Sequence, residues 1–324
     1  MARPESEAEH RRVLMVISKS YYIDGKSKVD IADELGISRF RVARYLDEAV
    51  RVGIVSITIN SGAPMPEMSA MVSQHLKLRN TQVIETYGNE QDVRTTIGRA
   101  TGTYLRQVLC EGEVLGIGWG RTLNAMLDGL DHLPKVEILE LAGRFDADYS
   151  NSAAELIRRA TALTGSPAKM MPAPFFVDDA RLATALRRQP DVAGLIAGFS
   201  RLTTAVVAVG ILNPASLGIA YSLLPERFSE QIMKSYAVGE VCGNLFARDG
   251  SSVKLKLQRH TLAITANQLR QVKRVIMAVS GVIKAEAVRA VCCSGVPTDL
   301  VVDVELAKAL LQLPKVTECA AQRV

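Results

Sequence analysis

The stretch KSKVDIADELGISRFRVARYLDEAVRVGIVSITIN, residues 26–60, has a spacing that decides the fold of the first part of the chain. Ala32 is followed four positions later by Gly36, and Val42 comes six positions after that glycine. A small residue lets two helices approach, a glycine turns the chain, and an apolar residue docks the second helix. The spacing therefore predicts a helix-turn-helix.

The second predicted helix has a basic face. Ser38 is placed to cap this helix. Arg39, Arg41 and Arg44 follow in its N-terminal half, where recognition helices meet base edges and phosphates in the major groove. DNA binding is the favoured interpretation, and a solvated arginine face is the alternative. The candidate DNA-binding residues are Lys28, Ser38, Arg39, Phe40, Arg41, Arg44 and Tyr45.

Length and composition favour a globular protein of two domains. The chain has 324 residues, of which 48% are hydrophobic and 23% charged. Its longest strongly apolar run, residues 205–212, is too short to cross a bilayer, and the run at 13–17 is too short for a signal-peptide core. We therefore expect a cytoplasmic protein. The net charge of +5 permits a polyanionic partner without requiring one.

A domain boundary is predicted at NSGAPMP, residues 60–66, because glycine and two prolines interrupt regular structure there. Residues 1–60 form the predicted DNA-binding domain, in which the alternation over 53–60 predicts a short wing-like strand. We expect residues 61–66 to be a linker and 67–324 to be a larger domain.

The larger domain alternates short Val- and Ile-rich runs with helical patterns. Such runs fit strands buried on both faces of a mostly parallel sheet, so we predict a Rossmann-like α/β domain. The predicted strands are residues 81–87, 114–119, 136–141, 205–211, 275–279 and 299–303.

Three places at predicted strand ends carry groups that could bind a ligand. In LGIGWGRTLNAML, residues 115–127, the glycines let backbone amides surround an anion, a following helix would add positive charge, and Arg121 and Thr122 could hydrogen-bond phosphate oxygens. A turn that only permits close packing is the alternative there. Lys284, after Ser280 and Gly281, could reach a phosphate or be a solvated lysine. Asp303 could accept sugar hydroxyls or cap the next helix.

No cofactor is predicted. Arg121 stands where the dinucleotide fingerprint needs its third glycine, and no Walker A sequence is present. The five cysteines have no C-x-x-C spacing and the four histidines are scattered. A zinc site and a disulfide framework are therefore not expected.

The order of these phrases resembles the SorC/DeoR-type family of bacterial sugar-responsive transcriptional regulators. The resemblance covers almost the whole chain. Its phrases are DIADELGISRFRVARYLDEAVRVGIV (30–55), LGIGWGRTL (115–123), PAPFFVDD (172–179), VAVGIL (207–212), AVGEVCGNLFARDG (237–250), IKAEAV (283–288) and DLVVDVELAKALL (299–311).

This resemblance implies an effector-binding and oligomerisation domain similar in fold to sugar-phosphate isomerases and glucosamine-phosphate deaminases. It implies a phosphorylated sugar or polyol effector, with Glu240 in the hydroxyl-binding acidic role. It also implies homodimers or homotetramers on palindromic or repeated half-sites of operator DNA. The implied and predicted effector-binding residues are Gly118, Trp119, Gly120, Arg121, Thr122, Glu240, Gly281, Lys284 and Asp303.

The leading hypothesis is a regulator of a carbohydrate or polyol catabolic operon whose operator affinity depends on that effector. One alternative is a sugar-phosphate isomerase or deaminase with an appended DNA-binding module, although catalysis would need a general base near the phosphate anchor. Another is a regulator without an effector, or with an unphosphorylated one. We expect a regulator and not an enzyme.

Overall fold

The chain forms two compact units. A computed structural model describes residues 7–55, 62–144, 153–213, 216–217 and 224–316. Its internal contacts divide the chain into residues 1–60 and residues 61–324. Among the described residues, each unit has a hydrophobic core of its own. No helix in these ranges is long and apolar enough to cross a membrane.

The first unit consists of three helices around a small apolar core. The helices are α1 (Glu7–Tyr22), α2 (Lys28–Leu35) and α3 (Arg39–Arg51). Gly36 ends α2 with a φ of 62°, a left-handed conformation that glycine adopts without steric cost. The predicted helix-turn-helix is confirmed. Its core residues are Leu14, Ile17, Ile31, Ala32, Val42, Tyr45, Leu46 and Ala49.

The strand predicted for residues 53–60 lies only partly within the described residues. The amides of Ile54 and Val55 both donate to the Ala49 carbonyl, at 2.9 and 3.0 Å. Residues 53–55 therefore form a turn after α3. Residues 56–60 lie outside the part of the chain that the structure describes.

The second unit is built on a sheet with the strand order β1-β2-β13-β12-β6-β3-β4-β5. Along this order, every neighbouring pair from β2 onward is parallel, whereas β1 is antiparallel to β2. The α/β prediction is confirmed. The strands are β1 (Ala63–Pro64), β2 (Asn80–Glu85), β3 (Val114–Ile117), β4 (Glu137–Glu140), β5 (Ala168–Lys169), β6 (Thr204–Val207), β12 (Arg274–Val279) and β13 (Asp299–Asp303).

Helices cover both faces of this sheet. Alternate residues of β12 point to opposite faces: Val275 and Met277 join one apolar cluster, whereas Ile276 and Ala278 join the other. The helices are α4 (Pro66–Leu76), α5 (Glu90–Val108), α6 (Ala153–Thr164), α7 (Ala180–Arg187), α8 (Pro190–Gly198), α9 (Glu226–Met233), α10 (Ala266–Gln271), α11 (Ala285–Cys293) and α12 (Val304–Gln312).

A second, antiparallel sheet was not predicted. It has the order β11-β10-β9-β7-β8. Its strands are β7 (Gly210–Asn213), β8 (Ser216–Leu217), β9 (Ala237–Val241), β10 (Asn244–Ala247) and β11 (Ser252–Val253). The predicted strand 205–211 is therefore wrong, because β6 ends at Val207 and β7 begins at Gly210 in the other sheet. Both pieces are apolar, so their composition does not reveal the break.

The expected linker 61–66 also contains regular structure. Ala63 and Pro64 pair with β2, and the Met65 amide donates to the Val83 carbonyl at 2.9 Å. Pro66 begins α4, a position that proline favours because it needs no amide hydrogen bond. The prolines that suggested a linker therefore belong to an edge strand and a helix start.

The strand order places a topological switch point between β3 and β6. From β3 the chain proceeds to β4 and β5 on one side, and from β6 it proceeds by way of the second sheet to β12 and β13 on the other side. In open α/β sheets, ligands bind in the crevice beyond the carboxyl ends of the strands at such a point. The loops after β3 and β6 are therefore the expected ligand-binding region of this sheet.

Candidate functional sites

The exposed arginines of α3 form a basic face in the first unit. Arg39, Arg41 and Arg44 are exposed, and none has an ion-pair partner within residues 7–55 as described. Glu48, further along α3, is instead held by His10, whose Nε2 lies 3.0 Å from its Oε1. We call Arg39, Arg41 and Arg44 the arginine face.

Local contacts hold this face in place. Ser38 caps α3 by accepting a hydrogen bond from the Arg41 amide at 3.2 Å. Arg41 donates through Nε to the Tyr45 hydroxyl at 2.8 Å. The guanidinium of Arg39 stacks over the ring of Phe40, 5.1 Å from its centre. Phe40 is 73% exposed.

Two of the predicted DNA-binding residues have other contacts. Tyr45 is buried in the core of the first unit, so its predicted role as a surface contact is wrong, and it positions Arg41 instead. Its helical spacing with Val42 and Leu46 turns it inward. Lys28 is exposed, with its ammonium 5.6 Å from the centre of the Tyr21 ring.

The loop after β3 lies at the switch point. The Gly118 amide donates to the Val206 carbonyl of β6 at 2.9 Å. Gly120 has a φ of 155°, and a Cβ at this position would lie 2.5 Å from Cβ of Ala208. A side chain at position 120 would therefore collide with Ala208, just after β6. The loop leaves Arg121 exposed and Thr122 buried.

The α-helix expected after Thr122 is absent from the described residues 123–136. A single 3₁₀ turn, Leu123–Ala125, follows instead. The segment is pressed against α5, where a Cβ on Gly98 would lie 2.4 Å from the Thr122 carbonyl oxygen. The predicted helix dipole therefore does not contribute at this loop, and its positive charge comes from side chains.

Three cations and two carboxylates interact at the strand ends. The pKa of Lys284 is lowered from 10.5 to about 8, first by burial and then by the guanidinium groups of Arg121 and Arg94. The carboxylates of Glu90 and Glu240 raise this pKa and offset only part of the decrease. We call Arg94, Arg121, Glu240 and Lys284 the strand-end site.

Arg94 was not predicted from the sequence. It lies in the first turns of α5, after the carboxyl end of β2, and its side chain is only 13% exposed. Glu90, one turn earlier, forms an ion pair with it. The rule that directed attention to the ends of β3, β12 and β13 also applies to β2, so the signal was present at this strand as well.

Glu240 comes to the site from the second sheet. It lies on β9, is 6% exposed, and its Oε2 accepts a hydrogen bond from the Gly243 amide at 3.0 Å. The turn that follows brings Cys242 close to Gly118, since a Cβ on this glycine would lie 3.2 Å from the sulfur. Burial and the Glu240 carboxylate raise the pKa of the Cys242 thiol, which is therefore protonated and unreactive.

Asp303 organises the loop after β12. Its Oδ1 accepts from the Leu306 amide at 2.9 Å and caps α12, while its Oδ2 accepts from the Gly281 amide at 2.8 Å. The predicted helix-capping role is therefore present, and the predicted binding of sugar hydroxyls stays a prediction. Gly281 has a φ of 96°, which favours glycine. Asp303 thereby positions the loop that ends at Lys284.

Trp119 forms an aromatic contact beside the glycine loop. Its ring meets Phe175 edge to face, with 5.1 Å between the centres. Trp119 is half-buried.

The predicted residues after β3 and β12 and on β9 interact at one edge of the sheet. The arrangement is suited to an anion beside a polar, hydroxyl-bearing group.

Comparison with known proteins identifies the class. Residues 64–312 match a family model described as "Putative sugar-binding domain". The chain is 29% identical over 306 residues to the Escherichia coli K12 protein named as the uncharacterized transcriptional regulator YjhU, covering 90% of this chain and 92% of the relative. It is 26% identical over 302 residues to EryD of Brucella abortus, named as an erythritol catabolism regulatory protein, with coverages of 91% and 94%.

The fold has solved counterparts. The crystal structure of the full-length sorbitol operon regulator SorC from Klebsiella pneumoniae matches with a TM-score of 0.70 and 21% identity, over 93% of this chain and 99% of that one. The sequence relatives are named as regulators, which supports a transcriptional regulator as the class of protein. The chain belongs to the SorC/DeoR-type family of sugar-binding transcriptional regulators.

Proposed function

We propose that this protein regulates a carbohydrate or polyol catabolic operon, and that a phosphorylated sugar or polyol bound at the strand-end site sets its affinity for operator DNA. The observation that carries the effector proposal is the electrostatic interaction of Arg94 and Arg121 with the half-buried Lys284. The three cations of this region outnumber its two carboxylates, Glu90 and Glu240, so positive charge is in excess beside the half-buried ammonium. An anion that joins them would offset the mutual repulsion of the cations. A phosphate dianion has the charge and the acceptor oxygens for this environment.

The acidic side chain of the site supports a hydroxylated effector. Glu240 is buried beside the cations, and ionised carboxylates accept hydrogen bonds from hydroxyl groups. The relative named for erythritol catabolism makes a polyol a natural member of the test panel. Phosphate recognition by the cations and hydroxyl recognition by Glu240 would together select a phosphate ester.

The arginine face supports the DNA-binding role. Arg39, Arg41 and Arg44 are exposed on the second helix of a helix-turn-helix, the element that enters the major groove in such proteins. We propose residues 1–60 as the DNA-binding domain and the second unit as the effector and oligomerisation domain. Lys28 and the cap residue Ser38 complete the proposed DNA-binding surface.

Linkage would connect the two activities. An effector that binds one arrangement of the protein more tightly shifts the population toward it, by the ratio of its two affinities. In a homodimer or homotetramer, this shift would change the spacing of the α3 recognition helices relative to paired half-sites. Operators should therefore be palindromic or repeated, with half-sites one helical turn or a multiple apart.

The deciding experiment measures binding of labelled DNA from upstream of the gene that encodes this chain, at fixed salt, with and without a panel of sugar and polyol phosphates. We expect one ester to change the affinity for DNA. Arg121→Ala and Lys284→Ala should abolish this response and leave DNA binding intact. The control Lys308→Ala removes an exposed lysine paired with Glu305 and should behave like the wild type.

The DNA-binding role is tested separately. Arg41→Ala and Arg44→Ala should weaken operator binding, and the slope of log affinity against log salt should fall by about one for each lost phosphate contact. Arg106→Ala, at an exposed position of α5, is the charge-matched control. Unchanged affinity in both α3 variants would contradict the recognition-helix assignment. Specific DNA binding whose affinity no ester changes would contradict the proposed phosphate pocket. Normal responses to the ester in the Arg121 and Lys284 variants would contradict it as well.

A further inference from the structure

Ser280 has a buried hydroxyl at the carboxyl end of β12, between the strand and the loop that leads to Lys284. The residue is 5% exposed. Its Oγ is shielded from solvent and has no hydrogen-bond partner among the described residues. A buried hydroxyl in this state carries a desolvation cost that no contact offsets, which is uncommon in folded proteins. A partner missing from the free protein would explain it.

None of the neighbouring charged groups, the Glu240 carboxylate included, is hydrogen-bonded to this hydroxyl among the described residues. The lysine and arginine side chains of the strand-end site are donors only. The carboxylate of Asp303, which holds this loop, accepts from the Gly281 and Leu306 amides and not from Ser280. An oxygen of a bound molecule would supply the acceptor that Ser280 does not find among these groups.

The backbone next to Ser280 leaves room for such a molecule. A Cβ on Gly281 would have no atom within 4 Å apart from its chain neighbours. The Lys284 amide donates to the Gly281 carbonyl at 3.1 Å and closes the loop behind this space. Rotation about a single side-chain bond moves a serine Oγ among three staggered positions, so the hydroxyl can turn toward an acceptor that arrives there.

We infer that Ser280 is an effector-binding residue whose hydroxyl donates a hydrogen bond to a phosphate oxygen of the ligand, in the same loop as the Lys284 ammonium. The inference rests on the proposed phosphate pocket and adds a residue to it. It has a distinctive consequence: removing the hydroxyl relieves an unsatisfied group in the free protein and removes a contact in the complex. The same substitution therefore stabilises the free protein and weakens ligand binding.

Thr81→Val is a matched control. Thr81 lies near the amino end of β2, is buried, and its Oγ1 also has no hydrogen-bond partner among the described residues. Valine keeps its shape and removes only the hydroxyl. Both Ser280→Ala and Thr81→Val should raise the melting temperature of the free full-length protein by about 2–4 °C.

The test is a titration of the full-length proteins with inorganic phosphate, followed by calorimetry and by the fluorescence of Trp119. Ser280→Ala should bind phosphate roughly tenfold to hundredfold more weakly than the wild type, the usual effect of losing a hydrogen bond to a charged group. Thr81→Val should bind it as the wild type does. Ser280→Cys, with a weak S–H donor of similar size, should fall between the alanine variant and the wild type.

Each outcome has a separate meaning. Equal phosphate affinity in Ser280→Ala and the wild type would overturn the role of Ser280 and leave the Arg121 and Lys284 pocket intact. A lower melting temperature in free Ser280→Ala would overturn the unsatisfied-hydroxyl argument. Failure of the wild type to bind phosphate or any ester of the panel would overturn this inference together with the proposed pocket.

Discussion

At the scale of single residues, the charge of Lys284 makes effector binding depend on pH. Its pKa in the free protein is lowered to about 8, so the ammonium loses its proton above this pH, whereas a phosphate ester is a dianion above pH of about 7. We expect affinity to decrease by up to about tenfold per pH unit above pH 8. Titration of the responsive ester at pH values from about 7 to 9.5 measures this decrease.

Lys284→Arg is the control for this titration. Its guanidinium stays protonated over the whole range, so any affinity that the variant retains should not decrease at about pH 8. A wild-type affinity that is constant up to pH of about 9.5 would show that the charge of Lys284 does not contribute to binding.

Phe40 provides a second prediction at this scale. Its ring is 73% exposed on the helix proposed to enter the major groove, and apolar side chains there contact the methyl group of thymine. We expect one thymine-to-uracil replacement in a selected operator to weaken wild-type binding by about 0.8 kcal/mol, the value of one buried methyl group. Competition binding of matched duplexes measures the difference.

Phe40→Ala completes the cycle. In this variant, replacing thymine by uracil at the position that the wild type senses should leave the affinity for DNA unchanged. If wild-type binding is indifferent to all such replacements, Phe40 does not read a thymine methyl group.

At the scale of elements, α5 sets the position of the loop that carries Arg121. A Cβ on Gly102 would lie 1.7 Å from the Met126 carbonyl oxygen, which belongs to backbone and can yield only if the segment moves. Gly102→Ala should therefore lower the free energy of unfolding by about 1–3 kcal/mol or more. It should also weaken effector binding, because residues 121–126 must shift.

Gly194→Ala is the matched control for Gly102→Ala, since both replace a glycine within a helix. Gly194 lies in α8 with open space around its Cβ position, so alanine should raise the free energy of unfolding by about 0.5–1 kcal/mol. Urea denaturation of both variants checks the two signs. Equal stability of Gly102→Ala and the wild type would mean that α5 and residues 122–126 do not need close contact.

At the scale of the whole molecule, the two separate cores predict two unfolding transitions. The single tryptophan, Trp119, lies in the second unit and reports on that unit alone, whereas far-ultraviolet circular dichroism reports on the helices of both. A saturating effector should raise the temperature of the transition seen by fluorescence. A single transition, coincident by both methods, would show that the units unfold together.

The elements that the sequence predicts correctly are those whose conformation is set by residues close together in the chain. The helix-turn-helix follows from Ala32, Gly36 and Val42, and the buried parallel strands follow from their Val- and Ile-rich runs. The break in the strand between Val207 and Gly210 could not be predicted from the sequence, because the residues on both sides of it are apolar. The 3₁₀ turn after Thr122 could not be predicted from its own residues, because contact with Gly98 and Gly102 of α5 determines that conformation.

Local sequence patterns are enough to predict most of the elements and the residue types available for binding: the arginines of α3, the glycines after β3, and Lys284 after β12. Which of these residues meet depends on how the elements pack against one another. Arg94 and Glu240 join Arg121 and Lys284 because the order of strands in one sheet and a hairpin of another bring distant positions together. Caps and periodicity act over a few residues, whereas this site is created by packing between elements far apart in the chain.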